Sequence, residues 1–413
     1  MSKGETEVAI IGGGAAGVAA GRRLRKAGID CLMIEARPRL GGRAWTVHDA
    51  SGFALDLGCG WLHSGDRNPW VPIAQAQGFT IDKTAPPWRK PALQKGFSLE
   101  DQHAFSAAMD EFHERVDAAA AHQPDVAAAS ALEPGGRWNS LINAIGTYIC
   151  GAELDRVSAL DFANYQDTGV NWRVVEGYGT TIAAAGQGLR VALDCPVQRI
   201  DHSGQKLKIE TAKGTIAADQ VIITLPSTVL AESENLFAPA LPEKTNAARG
   251  LPLGLADKLF MSLSHAEEFE PGGRLFGSTD RTATATYHVR PFGRPLIEAY
   301  FGGSHAAALE ARGEAAFFDF AVAELTNLLG RAFAQRVKPV GHHSWGIDPF
   351  ARGSYSYALP GKADSRAVLA EPVDSRLFFA GEACSKSDFS TAHGGWFTGT
   401  AAADQVVVAR ARK

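Results

Sequence analysis

Gly12, Gly14 and Gly17 fall in G-x-G-x-x-G spacing, and Gly21 extends the run by one helical turn. They follow the apolar run Val8-Ala9-Ile10-Ile11 and open a stretch of small residues with a helical pattern. Strand, glycines, helix is the order a pyrophosphate needs. It gives a tight turn, backbone close enough to touch the phosphates, and a helix packed near its strand. The helix N-terminus adds free N–H groups and a partial positive charge. A second apolar run, Cys31-Leu32-Met33-Ile34, ends at Glu35, 18 residues beyond Gly17. A carboxylate at that place accepts hydrogen bonds from an adenosine ribose. The spacing predicts a dinucleotide site at the head of the chain.

Three stretches read as parts of one nucleotide domain: 1–81, 189–250 and 345–413. The middle one looks like a β-meander. Val197–Ile200 and Lys206–Glu210 alternate, and Gln220–Thr224 is a buried run ending near Pro226. The last holds a strand, Leu377-Phe378-Phe379-Ala380, then Gly381-Glu382 and a final helix from about Gly394. Two blocks separate these pieces. Residues 82–188 are alanine-rich and helical in pattern, punctuated at Pro124 and Glu133-Pro134-Gly135-Gly136. Residues 251–344 alternate strand-like runs (Lys258–Leu263, Ala283–Val289, Leu296–Phe301) with one helical pattern, Glu314–Leu329. The expected fold is α/β: a Rossmann-like domain in three pieces, with an inserted α+β domain roofing a pocket.

A chain of 413 residues suits two domains, and 45% apolar with 21% charged residues is an ordinary globular balance. A net charge of −4 gives no electrostatic grip on nucleic acid or anionic lipid. Met1–Glu7 carries no charged-then-apolar leader, and no apolar run is long enough to span a bilayer. The expectation is a soluble cytoplasmic protein. Five scattered cysteines without C-x-x-C fit reduced thiols. The histidines form no ligand-spaced pair, and adjacent His342 and His343 point to opposite faces if extended, so no metal site is expected.

After Glu35 comes Ala36-Arg37-Pro38-Arg39-Leu40-Gly41-Gly42-Arg43-Ala44-Trp45-Thr46, and later Asp56-Leu57-Gly58-Cys59-Gly60-Trp61-Leu62-His63. Near the other end stand the segment from Trp345 to Tyr357, Phe379-Ala380-Gly381-Glu382, and Thr391-Ala392-His393-Gly394-Gly395. In this order the motifs resemble the flavin-containing amine oxidases: monoamine oxidase, polyamine and spermine oxidases, and the lysine-specific histone demethylases. The resemblance implies a GR2-type flavoprotein holding extended FAD. It places Glu35 and Arg37 at the adenosine end, and Gly42 and Arg43 by the pyrophosphate and ribityl chain. Gly58, Gly60 and Trp61 then run beside the isoalloxazine, and Val197 offers backbone to the adenine. Gly381 and Glu382 return to the phosphates, while Thr391 and Ala392 bring N–H groups to the pyrimidine edge. Monoamine oxidases carry a flavin-linking cysteine where this chain has Ser354, which implies non-covalent FAD.

The implied reaction is two-electron oxidation of a small-molecule amine, with hydride passing to flavin N5, hydrolysis of the imine, and reduction of O₂ to hydrogen peroxide. Four residues make up the implied catalytic group. Lys258 shares a strand face with Phe260 and matches the family lysine that holds a water at N5; burial is expected to lower its pKa. Tyr355 matches one tyrosine of an aromatic cage whose other place is Thr391. Trp345 matches a tryptophan near the flavin. Trp61 and His63 fit a W-x-H pattern in which the histidine faces substrate. His393 replaces a glutamate of monoamine oxidase. Asn164, Tyr165, Trp172, Tyr287, His288 and Tyr300 are candidates for the pocket wall, and Glu176 and Glu298 for the carboxylates a polyamine wants. An L-amino-acid oxidase would need an arginine for the substrate carboxylate, with Arg173 and Arg290 as candidates. A flavin desaturase and a flavin-binding protein without oxidase activity are the other readings.

Overall fold

The computed structural model describes residues 4–412. Met1–Lys3, part of the segment read for a leader, and Lys413 lie outside the described residues. Strand Glu5–Ile11 sits inside an eight-stranded sheet. It pairs in parallel with Cys31–Ile34 on one side and with Gly214–Ile223 on the other. Val191–Ala192 and Leu377–Phe379 extend the parallel set. These strands are continuous apolar runs because both faces are covered. Val8 and Ile10 pack with Val18, Leu24 and Val406, while Ala9 and Ile11 pack with Ile209, Leu230 and Leu369. The expected meander, Val197–Asp201, Leu207–Thr211 and Gly214–Ile223, is antiparallel, and its last strand runs into the parallel set. Parallel strands end at one edge, where ligands bind in open α/β sheets. Gly12, Glu35, Thr224 and Gly381 all stand there.

The second sheet is antiparallel, in the order Gly273–Phe276, Thr286–Val289, Leu296–Gly302, Ala256–Leu263, Val337–His342. Leu259, Met261, Leu275, Tyr287, Ile297 and Phe301 face the helix Glu314–Leu329 through Phe317, Ala321 and Leu325. The opposite face holds two cross-strand rows, Lys258–Tyr300–Thr286–Phe276 and Phe260–Glu298–His288–Arg274. Period-two alternation thus puts an apolar core on one side and a polar wall on the other. Helices Leu99–Ala120, Asn139–Cys150 and Ala159–Asn164 close the space beside that wall around a core shared with Phe276 and Tyr357.

The structure corrects several boundaries. The run Ala283–Val289 becomes a strand only at Thr286, because Glu324 holds Thr284 Oγ1 (2.8 Å) and the Ala285 N–H (3.1 Å). The last helix starts at Ala392, two residues before Gly394. Residues 173–188, read with the inserted block, pack with the nucleotide domain. Arg173–Val174 pairs with Ile81–Asp82, and Tyr178, Ile182 and Ala185 join the core around Val8 and Val18. Gly179 permits this, since a Cβ there would lie 2.6 Å from the Thr46 nitrogen.

Candidate active site

A cavity of about 1410 Å³ runs from the strand ends of the first sheet to the polar wall of the second. Of the residues singled out from sequence as cofactor-binding or catalytic, all line it except Gly17. Gly17 serves the turn instead, because a Cβ there would lie 2.0 Å from the Gly12 carbonyl oxygen.

The nucleotide end is shaped by bare backbone. Gly14 and Gly381 face the cavity. A Cβ on Gly381 would meet nothing within 4 Å, and one on Gly14 nothing nearer than 3.9 Å. Side chains there would fill the cradle. Glu35 is buried, its Oε2 accepting from the Gly13 N–H (2.6 Å) and its Oε1 from the Arg37 N–H (2.8 Å). Each oxygen keeps a lone pair for a hydroxyl. The Arg37 guanidinium grips Asp348 in a fork (2.8 and 2.7 Å). Burial pushes the Asp348 carboxyl up, but His343 and Arg37 hold it well below the ordinary range. Arg43 Nη1 donates to Glu382 Oε1 (2.9 Å) and the Ser354 carbonyl (2.8 Å), joining distant segments. Glu382 also accepts from Ser356 Oγ and the Ser390 N–H (2.6 and 2.9 Å), so its oxygens are engaged by protein. Thr391 caps the last helix, with its Oγ1 accepting from the Gly394 N–H at 2.9 Å. Val197 lines the cavity beside Cys195 and Pro196. The bare backbone at Gly14 and Gly381 and the open lone pairs of Glu35 fit an extended, phosphate-containing dinucleotide.

Lys258 stands where the cradle meets the polar wall. Its Nζ donates to the Asp56 carbonyl (3.0 Å) and pairs with Glu298 Oε1 (3.1 Å). An ammonium has three N–H donors, so one is left for the cavity. Glu298 is fully buried, with Arg173 Nη1 at 3.0 Å, the Tyr300 hydroxyl at 2.9 Å and His288 Nδ1 at 3.6 Å. The expected lowering of the Lys258 pKa is overturned. Burial pulls the ammonium down, but Tyr300 and Glu298 outweigh it and leave the pKa above the ordinary lysine value. Both come from the neighbouring strand, Tyr300 directly opposite Lys258 and Glu298 one row away.

Trp345 is buried, its Nε1 donating to the Leu57 carbonyl (3.0 Å). A Cβ on Gly58 would come 3.1 Å from this indole and 1.7 Å from the Arg43 carbonyl oxygen, and the second contact is why glycine stands there. The Tyr355 hydroxyl donates to the Tyr148 carbonyl. His63 Nδ1 lies 2.6 Å from Asn171 Oδ1 and 3.5 Å from Asp167 Oδ2. Burial pushes the Asp167 carboxyl up, yet bonds from His63 and the Gly169 N–H hold it down at about 2. Trp61 and Trp88 meet edge-to-face at 4.5 Å.

Other sequence candidates scatter. Tyr165, Tyr287, His288 and Tyr300 line the cavity; Asn164 and Trp172 do not. Neither Glu176, which binds Thr80 (2.8 and 3.0 Å), nor Glu298 lines it. Arg173 pairs with Glu298, Arg290 donates to the Phe269 and Gly293 carbonyls (2.7 and 3.2 Å), and neither lines the cavity, so neither meets a substrate carboxylate there. His393 is buried beside Asp388 (3.3 Å) and outside the lining. Thr391 spends its hydroxyl on the helix cap, so it does not complete a cage. Arg274, Tyr148 and Trp88 line the cavity and were missed. Arg274 sits on a four-residue strand after two glycines, too short to show alternation.

Residues 102–407 match the family model described as flavin containing amine oxidoreductase, and 10–74 match an NAD(P)-binding Rossmann-like domain. Polyamine oxidase 2 of Arabidopsis thaliana is 29% identical over 98% of this chain and 88% of its own length. Lysine-specific histone demethylase 2 of Homo sapiens is 25% identical over 97% of this chain and 53% of its own. A solved putrescine oxidase, a mutant from a redesign of cofactor binding, superposes with a TM-score of 0.80 at 19% identity, covering 99% of both chains. That likeness speaks to the fold; the family model spans most of the chain and speaks to the chemistry. The chain belongs to the flavin-containing amine oxidoreductases and is an FAD-dependent amine oxidase.

Proposed function

We propose that the substrate is a primary or secondary amine, oxidised to an imine that water hydrolyses, with O₂ as the final acceptor giving hydrogen peroxide. Lys258 carries this reading: a buried ammonium at the junction of cradle and wall, with one N–H unspent. Gly12, Gly14, Glu35, Arg37, Gly42, Arg43, Val197, Gly381, Glu382, Thr391 and Ala392 would hold the nucleotide part, with Gly17 packing the turn. Gly58, Gly60 and Trp61 would lie beside the ring. Ser354 implies a non-covalent cofactor, because its hydroxyl is tied to Ala256 N (2.9 Å) and O (2.8 Å). Bound FAD supplies a two-electron acceptor for a hydride equivalent.

The chain's own residues select, dry and position. An alkylammonium of pKa near 10.4 is neutral in roughly one molecule in a few thousand at pH 7, so deprotonation costs about 4 to 5 kcal/mol. Walls of Trp61, Trp88, Tyr148, Tyr300, Trp345 and Tyr355 exclude water and favour the neutral amine. Lys258, kept protonated by Glu298, holds a water through its free N–H and acts as a fixed positive donor, not as a general base. His63 is poised over Asp167 to accept or donate at the substrate side.

We read residues 1–81, 189–250 and 345–413, joined by 173–188, as the FAD domain. All strands of the large sheet come from those ranges. The other stretches form the substrate domain. No helix of the described residues is long and apolar enough to cross a membrane, and a cytoplasmic place is part of the reading. The test is Lys258→Met in flavin-loaded protein, with peroxide release measured over an amine panel. Retained flavin with strongly reduced turnover is expected. Undiminished turnover removes Lys258 from the mechanism, and no peroxide from any amine removes O₂ as acceptor.

A further inference from the structure

Four arginines are paired with acids, Arg37 with Asp348, Arg43 with Glu382, Arg173 with Glu298 and Arg366 with Asp161, while Arg39, Arg290 and Arg294 donate to backbone carbonyls. Arg274 is different. It lines the cavity, and its one side-chain hydrogen bond among the described residues runs from Nε to Thr286 Oγ1 (3.2 Å). Its guanidinium lies against the Phe276 ring at 4.1 Å. No carboxylate pairs with it among the described residues, and burial lowers its pKa to about 10 with only Tyr148 opposing. The forked Nη donors are left for the cavity. His288, its direct cross-strand partner, adds no negative charge, and Lys90 Nζ and His288 Nε2 both lie 3.9 Å from a Cβ placed on Gly272.

The acids that line the cavity beyond the cradle do not balance this cation. Asp161 is held by Arg366 at 2.6 Å and Asp167 by His63 at 3.5 Å. Asp110 and Asp117 are exposed on helix Leu99–Ala120. Glu298 is consumed by Lys258 and Arg173 behind the wall. A second ammonium would therefore meet a positive end, whereas an anion would find a planar fork suited to bidentate binding.

Position sets the length. Lys258, Tyr300 and Thr286 are successive cross-strand partners, so Thr286, whose Oγ1 accepts from Arg274 Nε at 3.2 Å, stands two strand spacings, about 10 Å, from Lys258. Extended chain gains about 1.2 Å per bond, so six to eight bonds cover about 7 to 10 Å. Building on the amine oxidase reading, we infer that the substrate is an amine bearing a carboxylate, or an equivalent anionic oxygen group, roughly six to eight bonds from the reacting carbon, with Arg274 as its specificity residue. An α-amino acid is too short for this fork, and a polyamine has the wrong distal charge.

The test uses flavin-loaded protein and a matched set: 8-aminooctanoate, octylamine and 1,8-diaminooctane, with octanoate as a non-reacting probe. A hydrogen-bonded ion contact of this kind is worth about tenfold or more in binding. The wild-type kcat/KM should favour 8-aminooctanoate over the diamine by about tenfold or more. In Arg274→Gln that preference should vanish through KM, with octylamine changed by less than about twofold, and octanoate binding should weaken about tenfold. Arg274→Lys, which keeps the charge but not the fork, should retain part of the octanoate binding, which distinguishes a lost subsite from a damaged fold. A wild-type preference for the diamine, or octanoate binding unchanged in Arg274→Gln, overturns the inference. If none of the amines is oxidised, the amine reading fails, and octanoate binding to the two variants still decides the subsite.

Discussion

Glu298→Gln removes the charge that sets Lys258 while keeping nearly the same shape. At 3.1 Å, with an effective dielectric of about 20, the pair attraction is about 5 kcal/mol. Losing half of this when the remaining hydrogen bonds adjust lets burial pull the lysine pKa back down from its raised value. In wild type the lysine stays charged past its ordinary value, so kcat at saturating amine should show no lysine titration below about pH 10. In the variant the ammonium is lost at lower pH than in wild type, and kcat should begin to fall at correspondingly lower pH. Stability should respond as well. Breaking a buried pair costs about 3 to 5 kcal/mol. The sign follows from the direction of each shift. Glu298 lies well below the usual carboxylate range, against its burial, because of Arg173 and Lys258. Its contribution is present above the unfolded carboxyl pKa and is lost as pH falls through the folded one. The Lys258 contribution is present below the unfolded lysine pKa and is lost as pH rises through the raised folded value. The melting difference between the two proteins should therefore be widest between about pH 5 and 10 and shrink at both ends. Superimposable kcat–pH profiles for wild type and Glu298→Gln would refute the ion-pair account.

The need for a neutral amine predicts that kcat/KM rises about tenfold per pH unit from pH 7 to 9; a flat or falling profile means the cavity accepts the ammonium. Acid precipitation should leave the yellow colour in the supernatant, since Ser354 offers no thiol, and colour in the pellet would mean a covalent link. Gly14 has extended backbone (φ −79°, ψ −170°) that valine tolerates, so Gly14→Val should fold with normal circular dichroism yet bind no FAD, because its methyls fill the cradle. Stoichiometric flavin in that variant would place the pyrophosphate elsewhere.

The nucleotide half was legible because local sequence sets it. Val8–Ile11 and Cys31–Ile34 are buried runs whose ends are marked by Gly12 and Glu35, and the strands form there with the acid in place. The motifs of the family resemblance also mark backbone-dominated positions: Gly58 must be glycine because Arg43 O would lie 1.7 Å from its Cβ. The chemistry of the wall was less legible because it depends on register. Lys258 looks like a desolvated lysine along the chain, and only pairing with Leu296–Gly302 brings Glu298 to its Nζ. Glu298 then serves the wall from behind and not the substrate. Arg274 was hidden on a strand of four residues, and its lack of an acid emerges only when every neighbouring carboxylate is traced to its partner. Helix Tyr178–Ala185 was assigned to the wrong block because its apolar residues fit either core; the close approach of Gly179 to Thr46 decides between them.

The central claim is that the glycine-lined cradle holds FAD with its reacting ring against the Lys258 chamber. Anaerobic addition of an amine to the purified yellow protein, followed by absorbance, tests this most directly. Bleaching of the flavin at one equivalent per chain, with colour returning on admission of air, is the predicted result. A protein that stays colourless with added FAD, or a bound flavin that no amine bleaches, would contradict it.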